Sequence, residues 1–181
     1  TRYIVSDQVP QLILKSSAIM SDTIYPCMRK FLVALGHETS IELGKEPYVK
    51  TAAKLFNKIL YQNKDYLLAG IIVAGVDKNG PQVFSLPLGG SCTQVPFAIG
   101  GSGSGFIYGY CDANYKENMS REEAKKFVIS GNITLKNSQS LAISLAMSRD
   151  NASGGCIRLI DIKKDGDPVR EFIPYNDIPF K

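Results

Sequence analysis

Apolar residues recur along this chain with two periods, one typical of helices and one typical of strands. Steps of three and four residues over 22–36 and 48–63 predict two amphipathic helices, and the lysines of the second lie on its polar side. Further helices are predicted over 106–115 and after the capping box of Ser120 and Glu123. Short apolar runs predict strands at 2–5, 11–14, 69–77, 82–88, 96–99, 156–162 and 169–173. This order of strands and helix pairs predicts an α+β fold with antiparallel sheets and segregated helices.

A polar run that contains a glycine, residues 131–140, interrupts a helical pattern that starts at Glu122 and continues towards Ser148. Because glycine and polar residues weaken a helix, we interpret this run as an insertion in that helix. The chain shows no internal repeat and no linker. Residues 1–181 are therefore predicted to form a single domain, large enough to bury a core without a disulfide or a metal.

Composition and charge exclude several classes of partner. The formal net charge is +4, but the basic residues are scattered and form no block typical of nucleic-acid binding. No apolar run reaches the roughly 20 residues of a membrane helix, so no membrane partner is expected. The four cysteines stand far apart without metal-binding spacing, which predicts free, mostly buried thiols in a reducing compartment. No metal or other cofactor is predicted.

The chain has one histidine, His37, just after the glycine that ends the first predicted helix. A capping role at a helix end is the ordinary explanation for such a histidine. A hydrolase built on this chain would therefore need another proton acceptor, such as a terminal amine or a lysine.

Two polar turns are candidates for chemistry. The run GGSGSG at residues 100–105 joins a strand to a helix, where it could bind an anion or could simply form a tight turn. It lacks the Gly-Lys-Ser/Thr pattern of a phosphate loop, because Gly105 is followed by Phe106. The run SRDNASGG at residues 148–155 could cap a helix through Asp150 and Ser153, or could direct that carboxylate and hydroxyl at a reacting centre.

Six blocks in order resemble the body of a proteasome beta subunit: AGIIVAG from 69, LPLGG from 86, FAIGGSGS from 97, FIYGYCD from 106, MSREEA from 119 and RDNASGG from 149. The GSGS and YGY motifs, together with the predicted helix that contains TAAKLF from residue 51, are most similar to the beta-one, caspase-like type. The resemblance implies an N-terminal-nucleophile hydrolase fold, a four-layer αββα sandwich of two antiparallel sheets between helix pairs. It also implies a threonine endopeptidase that cleaves after acidic residues.

The resemblance assigns roles to particular residues. Ser102, Asp150 and Ser153 match the residues that support the threonine nucleophile and its amine. Thr23 matches a residue that lines the pocket for the substrate side chain, and Lys15 is the candidate for selecting acidic side chains. These assignments require the turn at Ser102 to meet the turn at 150–153 in space.

The chain departs from the family pattern at its start. Family members begin with a Thr-Thr-like strand, whereas this sequence begins near the family's next strand. We therefore expect a fold truncated at the N-terminus without its nucleophile segment. Thr1 has the right residue type but the wrong neighbours. We expect this polypeptide alone to be inactive as a peptidase. A non-catalytic structural beta subunit is the alternative function, and a small anion-binding α+β domain is a more distant one.

The resemblance also implies partners and a location. Beta subunits sit with alpha and other beta subunits in stacked seven-membered rings and act on peptide substrates in ubiquitin-dependent protein degradation. Cytoplasm and nucleus are the expected compartments.

Overall fold

The computed structural model describes residues 2–6, 12–15, 48–129, 142–162 and 168–178, which form helices and two sheets. The strands are β1 Arg2–Ser6, β2 Leu12–Lys15, β3 Ile71–Asp77, β4 Gly80–Leu86, β5 Thr93–Gln94, β6 Phe97–Gly100, β7 Ile157–Ile162 and β8 Val169–Ile173. The α-helices are α1 Val49–Gln62, α2 Tyr108–Asn114, α3 Arg121–Ile129 and α4 Ala142–Arg149. Short 3₁₀ helices span Ser102–Phe106 and Tyr175–Asp177. The predicted α+β class is confirmed.

The larger sheet has the strand order β6-β2-β1-β7-β8, and the smaller has the order β3-β4-β5. Strands that are neighbours in sequence pair antiparallel, as predicted: β1 with β2, β3 with β4, β4 with β5 and β7 with β8. Parallel pairings of β1 with β7 and of β2 with β6 join these units, so the larger sheet is mixed and not antiparallel throughout as predicted. Parallel neighbours need a long connection, and these partners are distant in sequence, so no local turn signal could have predicted them.

Helix α1 packs one apolar face against the smaller sheet. Ala53, Phe56 and Leu60 are buried there in one cluster with Phe84 and Leu86 of β4. The Val49 amide donates to Asp77 Oδ2 at 2.9 Å, which ties the start of α1 to the end of β3. Apolar residues at three- and four-residue steps therefore bury a continuous stripe, as the sequence pattern predicted.

The second core forms between α2, α3, α4 and the larger sheet. Cys111, Val128, Ile143 and Ile157 are almost fully enclosed in it. The predicted capping box opens α3: the Ser120 amide donates to Glu123 Oε2 at 2.8 Å, and the Glu123 amide donates to Ser120 Oγ at 3.3 Å. Two backbone amides at the start of α3 are thus satisfied by side chains.

The segment 106–115, predicted as one helix, is divided. A 3₁₀ helix over Ser102–Phe106 precedes α2, and Ile107 lies between them. Gly101, with φ of 111°, begins the 3₁₀ helix in a backbone conformation that other residues rarely adopt. The glycine-rich run supplies the sharp turn, and the α-helix starts only where larger side chains resume.

Some predicted features lie outside the described residues: the helix at 22–36, His37, Thr1 and the insertion at 131–140. Helices α3 and α4, on either side of that insertion, contact each other and share one core. Within the described residues no helix is long and apolar enough to cross a membrane.

The cysteines that the structure describes are free, as predicted. Only Cys111 is fully buried, whereas Cys92 and Cys156 are half-buried. The expectation of mostly buried thiols therefore holds for one of these three.

Among the residues that the structure describes, two ion pairs join α3 to the last hairpin, and they differ in burial. Arg121 Nε lies 2.7 Å from Asp161 Oδ2, whose side chain is only 10% exposed. Lys125 Nζ lies 2.5 Å from Glu171 Oε2, and both of these side chains are about one third exposed or more, at 39% and 33%. The first pair shields a buried carboxylate, and the second is a surface pair.

We expect Arg121→Ala to lower the free energy of unfolding by about 1–3 kcal/mol, because it leaves a buried carboxylate without this hydrogen-bonding cation. Lys125→Ala, the matched control on the same helix, should cost less than about 1 kcal/mol. Urea denaturation of the two variants and the parent protein measures both. Equal costs would show that Asp161 does not depend on Arg121.

We expect Cys111 to resist alkylation in the folded protein. Burial raises the pKa of this thiol to about 12, and the charge of Asp112 adds to the shift. Only the thiolate reacts, so iodoacetamide at pH 8 should leave Cys111 unmodified until denaturant is added. The unfolded thiol ionises at a lower pH than the buried one. This group's contribution to the free energy of unfolding is therefore fully present below its ordinary pKa of 9.0 and is lost as the pH rises towards 12. Peptide mass mapping would contradict this if native Cys111 reacted as fast as the unfolded thiol.

Candidate functional site

Ser102 is placed by the end of β6 and the glycine turn that follows it. Gly100 is the last residue of β6, and its register partner on β2 is Lys15. After the turn at Gly101 the chain enters the 3₁₀ helix, whose first residue is Ser102. The Ser102 side chain is exposed at this helix start, so it can reach groups outside its own segment.

Asp150 and Ser153 are placed by the end of α4 and the turn into β7. The Asp150 amide donates to Ala146 O at 2.9 Å, which continues the helical bonding of α4, and the Ser153 amide donates to Asp150 O at 3.0 Å. The Ala152 amide also donates to Asp150 Oδ1 at 3.3 Å. These bonds hold the Asp150 side chain over its own turn, a common role for aspartate after a helix.

The two turns meet at one carboxylate oxygen. Ser102 Oγ donates to Asp150 Oδ2 at 2.7 Å across 48 residues of sequence. Ser153 Oγ donates to the same Oδ2 at 2.5 Å. Ser153 is buried and Asp150 half-buried, so the cluster has a closed inner side and an open side at Ser102. The spatial convergence that the sequence analysis required is present.

Sheet topology explains why the turns lie at the same edge. Strand β6 runs parallel to β2, and β7 runs parallel to β1, while β1 and β2 are antiparallel. The end of β6 and the start of β7 therefore lie at one edge of the larger sheet. The register aligns Gly100, Lys15, Arg2 and Arg158 in one row across four strands, with neighbouring strands about 4.8 Å apart.

The hydroxyl donors keep Asp150 ionised. The hydrogen bond from Ser153 is the largest cause that lowers the pKa of this carboxyl, the bond from Ser102 is the next, and partial burial opposes them. A serine hydroxyl has one proton, so each of these two hydroxyls has only lone pairs left for a further partner. The cluster therefore offers negative charge and acceptor oxygens, which suits a cationic or neutral amine.

The same electrostatics argue against an anion at the glycine turn. An ionised carboxylate 2.7 Å from Ser102 Oγ would repel a phosphate or carboxylate placed there. Among the described residues, no group of three or more histidine, cysteine, aspartate or glutamate side chains could hold a metal ion.

The other predicted site residues are placed only in part. The backbone of Lys15 ends β2 in the row beside Gly100, and its side chain lies outside the described residues, as does Thr23. The sequence analysis did not single out the Ala152 amide or Gly103, which lies buried behind the cluster. A glycine-rich run gives no sign of which glycine is closely packed, so only coordinates could find Gly103.

Comparison with known proteins identifies the family of the chain. The sequence profile of the family described as "Proteasome subunit" matches residues 30–162. The chain is 54% identical over 127 residues to a probable proteasome subunit beta type-1 of Schizosaccharomyces pombe, covering 70% of this chain and 51% of that protein. It is 51% identical over 139 residues to a proteasome subunit beta type-6 of Dictyostelium discoideum, covering 76% and 59%. A proteasome subunit beta type-6 of Arabidopsis thaliana is 39% identical over 176 residues, covering 93% and 69%.

The chain therefore belongs to the proteasome subunit family, and within it to the beta-one type. The match spans 51% and 59% of the first two of these relatives, little more than half of their length.

We expect Ser153→Ala to destabilise the protein in a pH-dependent way. The pKa of Asp150 is held below its ordinary value of 3.8, so the stability that this provides is complete above pH 3.8 and is lost as the pH falls through the folded-state pKa. The loss of unfolding free energy in the variant, relative to the parent protein, should thus be largest at pH 7 and should become smaller below pH 3.8.

Ser148→Ala is the matched control, because Ser148 Oγ donates to Leu145 O at 3.0 Å within its own helix and does not contact Asp150. Urea midpoints at pH 7, 5 and 3 make the comparison. A Ser153→Ala deficit that does not vary with pH would show that the hydroxyl does not act through the charge of Asp150.

Proposed function

We propose that this protein is a beta subunit of the 20S proteasome core whose family activity is that of a threonine endopeptidase that cleaves after acidic residues; the residues assigned above support a threonine nucleophile and do not include it. The single observation that carries the proposal is the hydrogen-bonded cluster of Ser102, Asp150 and Ser153. The family membership and the two-sheet α+β architecture support a four-layer αββα arrangement of the N-terminal-nucleophile type.

In the proposed reaction the hydroxyl of an amino-terminal threonine attacks the peptide carbonyl carbon, and the threonine α-amine takes the hydroxyl proton. The C–N bond breaks as that proton passes to the leaving amine, and an ester remains on the threonine. Water then attacks the ester carbonyl carbon and gives a proton to the same amine. The acyl C–O bond to threonine breaks, the amine returns that proton to the threonine oxygen, and the peptide leaves as its carboxylic acid. The amine is alternately neutral and cationic in this cycle.

The cluster is suited to hold such an amine. The Asp150 carboxylate stabilises the amine when it is cationic, and the Ser102 and Ser153 oxygens accept its N–H groups. Because both hydroxyls already donate to Asp150, the acceptor lone pairs are oriented before the amine arrives. Preorganised groups of this kind need no rearrangement during reaction, which is how an active site lowers a barrier.

Lys15 and Thr23 are the proposed substrate-binding residues. The register puts the Lys15 backbone beside Gly100, two residues before Ser102, at the edge of the sheet where the cluster lies. A lysine at that edge is suitably charged to select an acidic substrate side chain. For Thr23 the support is the sequence resemblance alone.

We also propose that the protein works in stacked seven-membered rings with alpha and other beta subunits, in cytoplasm and nucleus. Large exposed apolar side chains support an assembled state: Tyr66 is 79% exposed, Leu68 83% and Leu88 64%. A neighbouring subunit would remove such side chains from water, which is favourable for apolar surface.

We expect Asp150→Asn, in the subunit as carried by the purified particle, to reduce cleavage after acidic residues by roughly a hundredfold or more, because the amine loses its counter-charge. Asn151→Ala is the matched control, since Asn151 is the exposed neighbour in the same turn. The reagents are fluorogenic peptides ending in an acidic residue, and the other peptidase activities of the particle serve as the internal standard.

Full activity of the Asp150→Asn particle would contradict the proposed role of the cluster. If the unmodified subunit, in an assembled particle, neither cleaves such peptides nor reacts with a threonine-directed probe, then the protein is a structural beta subunit.

A further inference from the structure

We infer that Gly103 is a positioning residue for the site: the absence of a side chain there lets Ser102, Asp150 and Ser153 close into one cluster. The inference deepens the proposed function and rests on it. Gly103 is buried within the 3₁₀ helix Ser102–Phe106, directly after Ser102.

The space at Gly103 is occupied by the site itself. A Cβ built on Gly103 would lie 3.0 Å from Ser153 Oγ and 3.2 Å from Asp150 Oδ2, the two atoms of the shortest hydrogen bond in the cluster. It would also lie 3.2 Å from the Ala146 Cβ, on the helix that carries Asp150. A methyl group would therefore meet both turn residues and the helix behind them, and they would have to shift by a few tenths of an ångström.

The backbone does not require glycine here. Gly101, Gly80, Gly89, Gly90 and Gly155 adopt positive φ, but Gly103 does not. An alanine at Gly103 would therefore add only a steric contact, without backbone strain. The effect of the substitution can thus be assigned to the contacts with Ser153, Asp150 and Ala146.

Gly105 provides the matched control. It lies in the same 3₁₀ helix, also without positive φ, and a Cβ built on it meets nothing within 4 Å. Gly103→Ala and Gly105→Ala therefore add the same methyl group to the same element, and only the first contacts the cluster.

The test measures both variants in the purified particle with a fluorogenic peptide ending in an acidic residue. Rates are divided by the number of sites that an irreversible threonine-directed probe labels at completion. We expect Gly103→Ala to lower kcat per labelled site roughly tenfold with KM nearly unchanged, because a misplacement of 1 Å can cost about a hundredfold and a smaller one less. Gly105→Ala should match the parent in both parameters.

A merely structural role would reduce the number of labelled sites and leave kcat per site unchanged, and that result would overturn the inference. If Gly103→Ala does not enter the particle, the double variant Gly103→Ala/Ala146→Gly, which removes one of the three close contacts, takes its place. It should assemble and have a lower kcat per site than Ala146→Gly alone, and equal values would overturn the inference. Full activity of Asp150→Asn would instead refute the proposed function, so the two failures are distinguishable.

Discussion

The site depends on one carboxylate oxygen that accepts two hydroxyl protons from different parts of the chain. Asp150 Oδ2 joins Ser102, 48 residues earlier, to Ser153 in its own turn. Hydrogen bonds to an ionised acceptor are about twice as strong as those between neutral groups, so these two hydrogen bonds are strong only while Asp150 is charged. Its geometry and its charge are therefore coupled, because each hydroxyl that donates to Oδ2 also lowers the pKa of Asp150.

The larger sheet places the turns that carry Ser102 and Asp150 at the same edge, so that they can meet at low conformational cost. Strands β6 and β7 are separated by β1 and β2, and the end of β6 and the start of β7 lie at the same edge. At about 4.8 Å per strand spacing, the two site turns start roughly 14 Å apart. The 3₁₀ helix after β6 and helix α4 before β7 pack against each other and cover that distance. The strands therefore place both turns at one edge of the sheet, and the 3₁₀ helix and α4 bring the side chains of Ser102 and Asp150 together.

Local elements could be predicted from the sequence because their signals are local. The amphipathic stripe of α1 and the capping box at Ser120 each follow from residues within one or two turns of chain. The convergence of Ser102 with Asp150 needed the family resemblance, since no periodicity links positions 48 residues apart. The parallel pairing of β1 with β7 and the close packing at Gly103 had no sequence signal at all.

Charge also decides between the chemical interpretations that the sequence left open. A glycine-rich turn between a strand and a helix can bind a phosphate through its amides, and GGSGSG has that form. Here the carboxylate of Asp150 already occupies the neighbourhood of the turn and holds the Ser102 proton. With that proton and the Ser153 proton both directed at Oδ2, the remaining lone pairs can only accept. A group that brings N–H donors and positive charge complements this surface better than a second anion does, so these contacts favour an amine over an anion.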